Sequence, residues 1–127
     1  MTRAHPAGTI RLRLARTQQD LLDRVGVART TRERAVGLLN RSELAADEGL
    51  LILRCQSIHT IGMRVTIDAV FVNRAWQIVA LHPDLGPGRL LRPIWPAAAV
   101  VEAAGGWIAK TGLHLGDQLQ PEPTVAL

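Results

Sequence analysis

Residues Val65 to Val72 read VTIDAVFV, a run dense in β-branched side chains. Such residues lose rotamer freedom in a helix and pack well on a pleated surface, so the run predicts a strand. Asn73-Arg74-Ala75 follows, and then a second β-forming stretch, Trp76 to Leu81 (WQIVAL). Two such stretches joined by a tight polar connection predict a hairpin, and any fold for this chain has to be built around it. Thr9 to Arg16 adds a half-buried strand, because Ile10, Leu12 and Leu14 alternate with Arg11 and Arg13 at the period of two that sends neighbours to opposite faces. Asp23 to Ala28 (DRVGVA) is a weaker strand interrupted by Gly26, and the wholly apolar Leu50 to Leu53 reads as a buried one.

Helical signals are few. Thr30 is followed three residues later by Glu33, the spacing of a capping box, in which each side chain bonds the other's backbone amide. It predicts one short helix at about residues 31–40, with Ala35, Leu38 and Leu39 turned inward and Gly37 marking a close approach. Trp107 to Leu113 fits a single helical turn stopped at Gly112. Ala97 to Ala103 suits helix or strand equally, and Leu115 to Leu119 is expected to close the domain. His82 to Pro96 holds four prolines and two glycines and reads as a long ordered loop. The tail PEPTVAL is expected to fray. The fold class that follows is mainly β, within α+β: a small barrel-like or strongly bent antiparallel sheet with one short helix.

At 127 residues, 47% hydrophobic and 20% charged, the chain suits a single domain over residues 1–127 and excludes disorder. Its longest apolar run, Pro96 to Val101, falls far short of the roughly 20 residues of a membrane helix. No signal peptide pattern follows the first basic residues, and the lone Cys55 forms no intrachain disulfide, so a cytoplasmic address is expected. Charge is uneven. Residues 1–41 carry nine arginines against Asp20, Asp23 and Glu33, a net of +6, while the remainder carries −2. A basic half can mark a nucleic-acid surface. However, the four aromatics (Phe71, Trp76, Trp95 and Trp107) all lie outside that half, and base stacking needs aromatic platforms. The expectation is a solvated basic face, with neither a nucleic-acid nor a membrane partner.

Four separated words then line up. Glu33-Arg34-Ala35-Val36-Gly37-Leu38-Leu39-Asn40-Arg41, Asp47-Glu48-Gly49-Leu50-Leu51, the stretch from Ile58-His59-Thr60 through Met63 to Asp68 and Phe71, and Val101-Glu102-Ala103-Ala104-Gly105 with Gly116-Asp117 resemble, in order and spacing, domain-of-unknown-function family 192. The resemblance covers about residues 27–119. It implies a compact β-rich fold with no established activity and supplies architecture and candidate positions only; no cofactor is expected. Where many relatives have Trp-Met-Lys-Asn-Thr this chain has Ile61-Gly62-Met63-Arg64-Val65. Leu39 and Leu50 stand for methionines, swaps that conserve volume.

The densest polar cluster in an apolar setting is Cys55, His59, Thr60, Met63, Arg64 and Asp68. A structural zinc site needs four ligands, and one cysteine with His5, His59, His82 and His114 does not suit one; no metal is expected. Cys55 reads as a small buried apolar residue, and the three tryptophans as core and lid, with Trp95 packed over the barrel end. Asp68 sits on a face shared with Val70 and Val72, where an unpaired carboxylate is costly, so a salt bridge to Arg41, Arg54 or Arg64 is expected. Glu102, alone in AAAVVEAAGG, raises the same question. No complete catalytic set is present. The leading reading is therefore a non-enzymatic ligand-binding or accessory module whose candidate site residues are His59, Thr60, Met63, Arg64, Asp68 and Arg41. The alternatives are a small hydrolase or metal-assisted enzyme using Cys55, His59 and Asp68, which requires those side chains to converge, and a structural subunit of a larger assembly. The ligand, whether a small molecule or a protein, is left open.

Overall fold

The computed structural model of the chain describes residues 8–30, 33 and 37–127. Seven strands, β1 (Thr9–Leu14), β2 (Gln19–Ala28), β3 (Glu48–Leu53), β4 (Ile67–Val72), β5 (Ile78–Leu85), β6 (Ala99–Ala104) and β7 (Leu119–Glu122), form one sheet in the order β5-β4-β6-β3-β2-β1-β7. One short helix, α1 (Trp107–Thr111), precedes β7. All strand pairs are antiparallel except β2 with β3. A parallel neighbour requires a crossover connection rather than a hairpin, and residues 29–47 supply it. The sheet curls into a half-barrel. A bridge between Gln77 and Gln118, with the Ile78 amide donating to the Asp117 carbonyl at 2.8 Å, draws its two edges together at one end.

Curling gives the sheet an inside and an outside, each with its own core. Inside are Ile10, Leu12 and Leu14 of β1, Val25, Leu51, Val70, Val72 and Val101 of the neighbouring strands, and Trp76, Trp107 and Leu119. Outside, Ile52, Ile67, Ala69, Phe71 and Val100 are covered by Leu38, Ile58, Met63, Val65 and Ala97 from the long connections. The central strands β4 and β6 are therefore buried on both faces, whereas β1 buries alternate residues only. Gly49 in β3 is required by this packing, since a Cβ there would lie 2.7 Å from Leu22 Cδ1 and 2.9 Å from the Glu102 carbonyl oxygen.

The expected hairpin is β4–β5, and its turn is held by the Asn73 carboxamide oxygen, which accepts from the amides of Ala75 and Gln77. The capping box is present as well: the Glu33 amide donates to Thr30 Oγ1 at 3.0 Å and the Thr30 amide to Glu33 Oε1 at 2.9 Å. The body of the helix expected at 31–40 lies mostly outside the described residues, and residues 37–40 are turns. The turn of helix at 107–111 ends as expected, at Gly112 in the left-handed region (φ 69°).

Several expectations need correction. Residues 82–85 extend β5 through Pro83 instead of opening the loop; β5 is an edge strand, where a residue without an N–H is tolerated. Gly26 does not confine β2, which runs for ten residues. The closing strand lies at 119–122, beyond the expected 115–119, and the tail is held because Trp76 Nε1 donates to the Val125 carbonyl at 3.1 Å and Val125 is buried. Trp76 and Trp107 are core, but Trp95 is 85% exposed and packs over nothing.

Candidate functional site

Two carboxylates lie in the sheet's centre, and the β4–β6 register decides their fates. Asp68 pairs with Ala103, and Glu102 pairs with Ala69. The two are thus one step out of phase and point to opposite faces. Asp68 points inward and is fully buried. The expected arginine partners are absent; instead its Oδ1 accepts from the amides of Asp84 (2.8 Å) and Gly106 (3.1 Å), and its Oδ2 from Ile108 (2.7 Å). The amides of Gly106 and Ile108 are at the start of α1, where backbone donors have no intrahelical partner and Gly106 offers no side-chain cap. Asp68 is that cap, delivered from another strand.

Glu102 points outward, is 3% exposed, and receives no hydrogen bond or counter-charge among the described residues. Desolvation disfavours its ionised form and pushes its pKa from 4.5 up to about 7. Its side chain lines a cavity of about 90 Å³ under the long connections, room for about three water molecules. The walls are mainly Leu38, Leu39, Ile52, Ile58 and Met63, with polar atoms from Cys55, Ser57 and His59. The half-buried Cys55 donates its thiol to the Ser57 carbonyl at 3.0 Å. His59 is exposed, so the cavity meets solvent beside it.

Of the sequence candidates, His59 and Met63 thus stand round one cavity with Cys55 and Glu102. Thr60 is buried nearby but its hydroxyl is engaged, donating to the Gly86 carbonyl (2.7 Å) and accepting from the Arg89 amide (2.8 Å). It clasps the 58–63 loop to the loop after β5. Arg41 makes a two-pronged pair with Glu48 at 2.6 and 2.7 Å, which holds the Glu48 carboxyl below its ordinary range. It lines a neighbouring groove that shares Gly37 and Leu38 with the Glu102 cavity. Arg64 is exposed. Asp68, on the other face, does not meet Cys55 and His59, so the trio needed for a hydrolase is not assembled. Among the described residues no group of three or more His, Cys, Asp and Glu side chains could hold a metal. Glu102, noticed in the sequence but left out of the candidate set, is the polar centre of the cavity; its signal was a lone carboxylate in an unbroken apolar run.

A domain with this curled sheet and a buried carboxyl that has no partner among the described residues belongs to a class defined by fold, not by a known reaction. The chain is a member of the DUF192 family, described as an uncharacterized ACR, whose profile matches residues 9–121. The match begins at β1, upstream of the 27–119 suggested by the sequence words. A solved structure from Sinorhizobium meliloti, described as a candidate transcription regulator, is 22% identical and superposes with a TM-score of 0.77 over 98% of this chain and 100% of its own. A protein of unknown function from Novosphingobium aromaticivorans is 25% identical, also with a TM-score of 0.77, over 93% of this chain and 91% of its own. No curated protein matches the sequence. Fold and family are thereby established, and the family has no specific activity attached to it. Among the described residues no helix is long and apolar enough to cross a membrane.

Proposed function

We propose that the protein is a non-enzymatic binding module that accepts a compact cationic group, an alkylammonium or a similar N–H donor, onto Glu102. The observation that supports this is a carboxyl buried without a partner among the described residues and turned into a cavity. Burying a polar group without compensation is costly, and a ligand that supplies the missing donor and charge recovers that cost. The apolar walls and the Met63 thioether suit the carbon stem of such a ligand, and His59 at the rim adds a polar contact. Thr60 shapes the cavity by fixing its loop. Asp68 acts through the fold alone. The single cysteine, Cys55, which leaves the chain without an intrachain disulfide, supports a cytoplasmic address.

The test is a titration with methylammonium and n-propylammonium chloride against sodium chloride, following melting temperature and the carbon-13 signal of the Glu102 carboxyl. The expected result is stabilisation by the amines alone, growing as pH rises through 7 and abolished by Glu102→Gln. A carboxyl that titrates near 4.5 in the unliganded protein would mean that its charge is already satisfied, and the proposal would fall.

A further inference from the structure

A second concavity shares no residue with the first. It is a groove of about 780 Å³ between the Asn73–Ala75 turn, the segment after β3 and the Trp95–Ala98 segment, within the roughly 300–1,000 Å³ typical of small-ligand sites. Residues 54–57 form a wall common to both sites: Arg54 and Gln56 line the groove, Cys55 and Ser57 the Glu102 cavity.

Three features give the groove a chemistry. Trp95 is 85% exposed on its wall, unusual for so large an apolar ring. Arg54 is held in place by an Nη2 hydrogen bond to the Arg29 carbonyl at 2.8 Å, and Arg74 is presented by the turn that Asn73 locks. Neither guanidinium makes an ion pair with a described residue, and among the described residues no Asp or Glu side chain lines the groove, whose remaining wall is Leu127. A planar ring stacks on an exposed indole, and two unpaired guanidiniums beside it attract a phosphate or carboxylate.

We propose that this groove binds a planar ring bearing an anionic group, of mononucleotide size. A single ring suits it better than a nucleic-acid strand. The other aromatics, Phe71, Trp76 and Trp107, are all buried, so successive bases would find only one stacking platform.

The experiment is isothermal titration and tryptophan fluorescence on the full chain with adenosine 5′-monophosphate, adenosine, ribose 5-phosphate and a short single-stranded oligonucleotide. The monophosphate is expected to bind saturably and quench the indole, with adenosine and ribose 5-phosphate each at least about tenfold weaker. Trp95→Ala should cost about tenfold in affinity, and Arg74→Glu, on an exposed turn that tolerates it, should weaken the monophosphate but not adenosine. Glu102→Gln should leave this binding unchanged, which keeps the two sites distinguishable. Binding indifferent to Trp95→Ala, or adenosine as tight as its monophosphate, would overturn the proposal. So would affinity for the oligonucleotide that climbs with its length, which would make the groove part of a strand-binding surface.

Discussion

Asp68 and Glu102 are both acidic, both buried and both on central strands, yet one is a structural rivet and the other finds no partner among the described residues. Three backbone amides converge on Asp68, whereas no described donor reaches Glu102. Burial by itself therefore says little about a carboxylate. What matters is whether the fold delivers donors to that particular face. Inside the curled sheet α1 docks its N-terminal amides directly over β4; outside, β6 is roofed by apolar side chains from loops.

The most severe way to break this contrast is to remove the satisfied partner. Asp68→Ala orphans the buried amide of Ile108 and the part-buried amides of Asp84 and Gly106. A buried orphan costs about 1–3 kcal/mol and the two that water can reach cost less, so the expected loss is about 2–4 kcal/mol in urea denaturation. Hydrogen exchange should show Ile108 losing protection first; unchanged protection there would deny Asp68 its role as the cap. Glu102→Gln should act in the opposite direction and only at high pH. The folded pKa of about 7 lies above the ordinary 4.5, so the native state holds an extra proton between those values. Stability is then full below pH 4.5 and falls as pH rises through 7, by at most about 3 kcal/mol. The glutamine variant should lack that slope and exceed the parent above pH 7, as a pair of denaturation series at pH 5 and pH 8 would reveal.

Two smaller effects sharpen the comparison. Thr60→Val removes a hydroxyl that both donates and accepts, and should cost about 1–2 kcal/mol while loosening the rim of the Glu102 cavity; amine binding should weaken along with it. Arg41→Ala breaks a pair that is partly solvated, with the arginine side chain 42% exposed, so thermal denaturation should register less than about 1 kcal/mol. A larger loss at Arg41 than at Thr60 would show that the cavity's shape depends on the crossover rather than on the loop clasp.

Much of the local structure is legible in the chain. The alternation in β1, the β4–β5 hairpin, the Thr30–Glu33 capping box and the stop at Gly112 are interactions between residues two to a few positions apart, and they leave a periodic or spacing signature. Edge position is not local, so Pro83 reads as a loop breaker although it lies in β5. The tail reads as frayed because Trp76, which holds it, is 49 residues away. Trp95 reads as packed over the barrel end because its hydrophobicity is visible and its exposure is not.

The candidate site divides along the same line. His59 and Met63 stand out by type and setting, and they do line the cavity. That Glu102 joins them and Asp68 does not follows from a register in which Asp68 meets Ala103 and Ala69 meets Glu102. A shift of one residue in that pairing would put both carboxylates on one face. Periodicity within a strand specifies that alternate residues part company; which side each takes relative to a distant strand is decided by long-range pairing and by the packing of α1 and the loops, energies that no short window of sequence contains.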